Sequence, residues 1–172
     1  MNKKSNENMT MRDELTSLLP SIRRFAFSLT GSMADADDLL QNTVERILSR
    51  QMPADVELAK WAFRVCRNLW IDEYRARKVR MEAAEQPELA EGQVVDGERA
   101  VTGEMELERV NRAMNRLPDE QRSILSLVAL QGLSYKDVAA TLEIPIGTVM
   151  SRLARARAAL CETLNAPATR TT

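Results

Sequence analysis

Apolar residues recur at three- and four-residue intervals along most of this chain, the spacing of a helix face rather than the alternation of a strand. Leu15, Leu18, Leu19, Ile22, Phe25 and Leu29 mark a first helix. Pro20 lies inside it, so the helix is expected to kink or start again there, and Gly31 ends it. Ser32 with Asp35 is a capping box for a second helix, with Leu39, Leu40, Val44, Ile47 and Leu48 as its core face. After Pro53 a third helix runs from about Leu58 to Arg80. In the second half, Leu107, Val110, Met114 and Leu117 repeat at helical spacing. Pro118 sits at a favoured first position of the next helix, whose apolar residues are Ile124, Leu125, Val128 and Leu130, and Gly132 stops it. Ser134 with Asp137 is a second capping box, followed by Val138, Ala139 and Leu142. The turn Glu143-Ile144-Pro145 leads into a last helix, about Ile146 to Leu164. The fold class is all-α.

Between the two halves the pattern lapses. Residues 82–103 hold Pro87, Gly92, Gly97 and Gly103 and no sustained helical period. They are expected to be a flexible acidic linker joining two small helical domains, residues 10–81 and 104–165. The second is a four-helix domain. Residues 1–9 and 166–172 read as loose tails.

Composition supports the helical reading and narrows the chemistry. Gly and Pro number six each, about 7% of 172 residues against about 12% in an average protein. Histidine is absent, which excludes imidazole bases and His metal ligands. Cys66 and Cys161 form no CxxC pair and read as structural, so a zinc knuckle or disulfide framework is not expected. No nucleophile–base pair, phosphate loop or metal-spaced cluster stands out. The chain is therefore expected to be neither an enzyme nor a cofactor or metal binder, with no small-molecule substrate. Asp35, Asp37 and Asp38 crowd a helix's first turn, where acids serve the helix dipole. The polar N-terminus does not resemble a signal peptide, and no run approaches the roughly 18 apolar residues of a membrane span. The expected location is cytoplasmic.

Charge supplies the functional clue. The net charge is −1, but it hides blocks. Residues 60–80 carry seven basic side chains against Asp72 and Glu73; residues 82–108 carry nine carboxylates against Arg99 alone; residues 145–160 carry three arginines and no acid. On the third helix Lys60, Arg64, Arg67, Asn68, Arg75 and Lys78 share one face within roughly 100°. Trp61 opens that stretch, and Phe63, Trp70 and Tyr74 flank the stripe. Such a stripe can neutralise phosphates while neighbouring aromatics stack on unpaired bases; a solvated face beside core aromatics is the plainer alternative. Residues 134–149 have helix-turn-helix spacing, with small Ala139 permitting close packing and Val149 anchoring the second helix. On that helix Val149, Leu153, Ala156 and Leu160 form the buried side. Ser151, Ala154 and Arg155 face outward, flanked by Thr148, Met150 and Arg152. Arginine can bond guanine bidentately and short side chains let a helix approach a major groove, though an amphipathic bundle helix would look similar. Glu143 occupies a turn position where a small residue is usual.

Three stretches together resemble the bacterial extracytoplasmic-function (ECF) sigma factors, two-domain initiation factors of RNA polymerase. Residues 34–41 (ADADDLLQ) look like the polymerase-binding helix of the family's region 2. Residues 61–75 (WAFRVCRNLWIDEYR) look like its helix for promoter melting and minus-ten reading. Residues 117–122, 132–139 and 144–157 look like region 4, which reads the minus-thirty-five element. The resemblance implies that Asp37, Asp38, Leu39, Gln41 and Arg46 dock on core RNA polymerase. It places Asn68 at minus-ten recognition, with Arg64 and Arg67 on nearby phosphates and Lys60, Trp61 and Arg75 on the same surface. The loop of residues 50–57 would help capture a flipped-out base. Thr148, Met150, Ser151, Arg152 and Arg155 would face the minus-thirty-five duplex. Met150 stands where many relatives have Lys or Arg, Asn42 and Val44 replace a common acid and aromatic, and residues 50–57 contain no aromatic. The implied partners are promoter DNA, core polymerase and an anti-sigma factor, often membrane-linked, with no membrane insertion by this chain. The acidic linker is expected to keep the free chain off DNA. A stand-alone helix-turn-helix regulator would leave the basic-aromatic helix and residues 34–41 without a role. A helical adaptor that binds no DNA is the third reading.

Overall fold

The computed structural model describes residues 3–84 and 103–166. Seven helices account for their regular structure: α1 (Lys3–Thr30), α2 (Met33–Ser49), α3 (Leu58–Ala83), α4 (Gly103–Asn115), α5 (Asp119–Ala129), α6 (Tyr135–Leu142) and α7 (Ile146–Asn165). The expected linker lies almost wholly, and the C-terminal tail after Ala166 entirely, outside the described residues.

Helices α1, α2 and α3 pack together around Ile22, Phe25, Leu29, Ile47 and Cys66, all fully buried. The Phe25 and Phe63 rings meet edge to face, 5.3 Å between centroids at 76°, the arrangement that aromatic quadrupoles favour. Helix α1 departs from expectation at its start, which is Lys3, inside the segment read as a loose tail. At Pro20, where a kink or a restart was expected, the helix does not restart. Pro20 is on the exposed face, while the buried stripe runs on beneath it through Ile22 and Phe25, so packing outweighs the lost backbone bond. Helix α2 is capped as expected, the Asp35 N–H donating to Ser32 Oγ at 3.4 Å. Its core face is rotated from the expected one: Ala36, Leu39, Thr43 and Ile47 are buried, and Leu48 is exposed. Thr43 tolerates burial because its hydroxyl donates to the Leu39 carbonyl at 2.7 Å.

The second half packs α5, α6 and α7 around Ile124, Leu127, Val138, Val149 and Leu153. Pro118 is the residue before α5, one position earlier than expected. Ser134 caps α6 by accepting from the Asp137 N–H at 3.1 Å and donating to its carboxylate at 2.7 Å. The turn after α6 is left-handed at Glu143 (φ 56°, ψ 44°), and the Ile144 N–H returns to the Ala139 carbonyl at 3.1 Å. The expected apolar face of α4 is only half used, with Met114 buried and Leu107 and Val110 exposed. Leu130, expected in the α5 core face, is also exposed, as is Cys161, expected to be structural.

The two halves do not stand apart. Their buried side chains form one continuous apolar cluster. Helix α5 lies against α1, and α6 against α3. Arg122 of α5 crosses the seam, donating to the Leu29 carbonyl at 2.7 Å and to the Asn115 and Leu117 carbonyls of its own half. Its guanidinium also sits 5.4 Å from the centroid of the Trp70 ring. Asn111 donates to the Gly31 carbonyl at 3.0 Å and Gln131 to that of Ser21 at 3.3 Å.

Candidate polymerase and nucleic-acid interface

Three surfaces carry the residues singled out above. The first is the outer side of α2. Asp37, Asp38 and Gln41 are exposed and Arg46 is half-buried, but Leu39 is only 2% exposed and belongs to the core. Leu39 follows the buried phase set by Ala36, Thr43 and Ile47, so its side chain is withdrawn from any partner. Asp37 takes a two-pronged bond from Arg23 of α1, 2.6 Å and 3.1 Å, which holds its carboxyl below the usual carboxylate range. Gln41 donates to Glu45 at 3.5 Å. Further along, an open groove between α2 and α3 is lined by Asn42, Glu45, Arg46 and Ser49 on one side and Leu69, Asp72 and Glu73 on the other. Of these, Arg46 was singled out from the sequence as a docking residue and Asn42 as a departure from the family's helix. The α2 set and the α3 set come together only when the two helices pack.

The second surface is the basic stripe of α3. Lys60, Arg64 and Arg67 do share a face, but it is the face turned toward the second half. Lys60 Nζ lies 2.9 Å from Asp137, Arg64 Nη1 2.8 Å from Glu143, and Arg67 Nη2 2.5 Å from Glu120. Arg64 also donates to the Thr141 and Ala140 carbonyls at 2.6 Å and 3.1 Å, at the C-terminal end of α6 where the helix dipole is negative. Asp137 draws the Lys60 ammonium above its ordinary value, and Lys60, with Ser134, holds the Asp137 carboxyl below its own. Asn68 is exposed beside this seam. Trp61, Phe63 and Trp70 are all 7% exposed or less. The expected role of Trp61 at the DNA surface therefore does not fit this arrangement, since its ring adds to the core between helices. Nothing is described of the Arg75, Lys78 and Tyr74 side chains. The loop of residues 50–57 exposes Gln51, Pro53, Ala54 and Asp55, while Met52 and Val56 pack on the core.

The third surface is α7. Val149, Leu153 and Ala156 are buried as expected, though Leu160 is only partly so. Met150, Ser151, Ala154 and Arg155 are exposed and Thr148 is half-buried. Ser151 donates to the Thr148 carbonyl at 3.2 Å. Arg152 departs from this group. Its Nη1 is 2.8 Å from the same Glu120 oxygen that holds Arg67. Glu120, Asp137, Glu143 and Arg122, which organise the seam, were missed as functional residues. Asp137 had signalled only a helix cap, and Glu120 and Arg122 stood only within residues 117–122 of the region 4 resemblance.

Comparison with known proteins assigns the two halves to a family. The Sigma-70 region 2 family matches residues 15–80, and Sigma-70, region 4 matches residues 107–160. The ECF RNA polymerase sigma factor EcfG of Rhodopseudomonas palustris is 35% identical over 153 residues, covering 88% of this chain and 83% of that protein. The chain belongs to the ECF RNA polymerase sigma factors. A second relative, the ECF sigma factor SigE of Mycolicibacterium smegmatis, is 33% identical over 150 residues, covering 79% of this chain and 54% of that longer protein. Among solved structures, the sigma factor RpoE of Bartonella quintana, crystallised with the anti-sigma factor NepR, is 31% identical. It aligns with a TM-score of 0.75 over 90% of this chain and 96% of that one. In this sigma factor, α1–α3 thus correspond to region 2 and α4–α7 to region 4. Neither matching family is catalytic: sigma factors act in initiation without being enzymes.

Proposed function

We infer that this sigma factor divides its work among the three surfaces just described. Residues 10–81 dock on core polymerase through Asp37, Asp38, Gln41 and Arg46 and the groove beside them. Helix α3 reads and opens the minus-ten element, with Asn68 at recognition and Lys60, Arg64, Arg67 and Arg75 neutralising phosphates. Residues 104–165 place α7 in the major groove of the minus-thirty-five element through Thr148, Met150, Ser151 and Arg155. The observation that carries this reading is the outer face of α7. The helix exposes Met150, the short Ser151 and Ala154, and two arginines, Arg155 and Arg157, away from a buried side of Val149, Leu153 and Ala156. A helix with that profile can enter a groove, and a bidentate arginine–guanine pair discriminates by roughly 1–3 kcal/mol.

We further propose control by an anti-sigma factor, supported by the similarity to a sigma factor crystallised with NepR. If that regulator is membrane-linked, it must present a soluble part to this chain. Among the described residues no helix is long and apolar enough to cross a membrane. The site of action is the cytoplasm, where polymerase works.

Arg155→Ala tests the assignment. Transcription from promoters carrying a minus-thirty-five motif should fall by about tenfold or more. Binding to core polymerase should stay unchanged. Unchanged transcription at those promoters would overturn the recognition face.

A further inference from the structure

The residues that best suit α3 to DNA are already occupied by the protein itself. Lys60, Arg64 and Arg67 stand one turn apart on one face of the helix. Each meets a carboxylate from a different part of region 4: Asp137 in the first turn of α6, Glu143 in the turn after it, and Glu120 in the first turn of α5. Two backbone carbonyls at the end of α6 complete the shell around Arg64. The Arg67 side chain is only 12% exposed. Glu120 reaches further, because one of its oxygens also holds Arg152 of α7.

We propose that these three carboxylates stand in for DNA phosphates and close the chain on itself, so that the free protein masks its own promoter-melting stripe. The proposal rests on the sigma-factor reading of α3. It adds to the expected role of the acidic linker a different agent, carboxylates of the folded second half. Three features favour a latch over incidental surface pairing. Each of the three basic residues meets a carboxylate of the second half, and the Asp137 contact of Lys60, at 2.9 Å, is closer than its 3.4 Å contact with Glu57 of its own half. The pairs are backed by a buried apolar seam and by Arg122. Glu120 links an arginine of the minus-ten helix to one of the minus-thirty-five helix, so a single contact restrains both readers. Polymerase binding would have to separate the halves before either helix could engage DNA.

The test uses the full chain without polymerase. A triple variant, Glu120→Gln, Asp137→Asn and Glu143→Gln, removes the charges while keeping side-chain size. A control, Glu104→Gln, Glu106→Gln and Glu162→Gln, removes three exposed acids outside the seam. Each is measured by small-angle X-ray scattering and by fluorescence anisotropy with a labelled 20-nucleotide single-stranded DNA, at fixed salt. The latch variant should expand and bind the oligonucleotide at least tenfold more tightly than the control, which should stay near wild type. If the latch variant does not fold, Glu120→Gln alone should give the same change to a smaller degree. Equal binding by latch variant and control, or an unchanged scattering profile, overturns the latch. Expansion without tighter binding overturns the masking of a DNA stripe. Run-off transcription by the wild-type chain with core polymerase reads the sigma activity separately, so the two ideas fail independently.

Discussion

Replacing Arg122 by alanine should be among the most costly single changes in the molecule. The side chain is 8% exposed and donates to three carbonyls, one across the seam at Leu29 and two, at Asn115 and Leu117, holding the corner between α4 and α5. The Leu29 and Asn115 bonds are close, and the Leu117 bond, at 3.4 Å, is weak. A hydrogen bond to a charged group contributes about 1.5–3 kcal/mol net. Two such bonds at the low end, with about 1 kcal/mol from the stacking on Trp70, give about 4 kcal/mol. With a urea slope of about 2 kcal/mol/M, the unfolding midpoint should drop by about 2 M. Arg122→Lys should recover little, since an ammonium cannot reproduce the planar fork that serves separate carbonyls. Equilibrium urea unfolding followed by circular dichroism measures both variants. A midpoint shift for Arg122→Ala below about 0.3 M, or full rescue by lysine, would refute the reasoning.

Other expected outcomes test separate parts of the structure. Gly31 has φ 72° and a Cβ there would come within 2.5 Å of the Asn115 side chain, so Gly31→Ala should destabilise by about 1–2 kcal/mol in the same assay; a neutral result would contradict that corner. Burial pushes the Cys66 thiol up to about 12, whereas Cys161 is exposed. A maleimide should therefore label one of the two cysteines quickly and the other only on unfolding, as mass spectrometry would show. The Lys60–Asp137 pair should be insensitive to pH between about 5 and 9. The depressed carboxyl makes its contribution above about pH 4 and loses it as pH falls through its lowered value, while the raised ammonium keeps its own until well past pH 10. The stability difference between wild type and Asp137→Asn should accordingly shrink between pH 5 and pH 3, and a constant difference would contradict the pairing.

Local chemistry in the sequence anticipated most of the helices. Ser32 and Ser134 announce helix starts because a hydroxyl three residues before a free N–H is useful almost nowhere else. Glu143 could be placed in a turn because the spacing of residues 134–149 is that of two helices joined by a tight turn. Periodicity was less informative where a polar group satisfies itself locally. Thr43 entered the core by bonding Leu39, and Leu48 was displaced to the surface. Leu107 and Val110 show the converse, with apolar spacing that finds no cover among the described residues. The docking of the two halves could not be read in advance. Arg64 and Glu143 are 79 positions apart, and Arg122 and Leu29 are 93. No period or motif links residues at that separation, so the basic stripe read as an open DNA face although Lys60, Arg64 and Arg67 are paired across the seam in the folded chain. The outward face of α7 was legible because a short amphipathic helix reveals its exposed side once its buried side is known.

The central claim, that this chain directs polymerase to promoters, is tested most directly by reconstitution. Purified protein is mixed with core RNA polymerase and run-off transcription is assayed on promoters from its own genomic neighbourhood. Discrete transcripts that require both components are predicted. Duplex DNA binding with no association with polymerase, or a folded sample with neither activity, would contradict it.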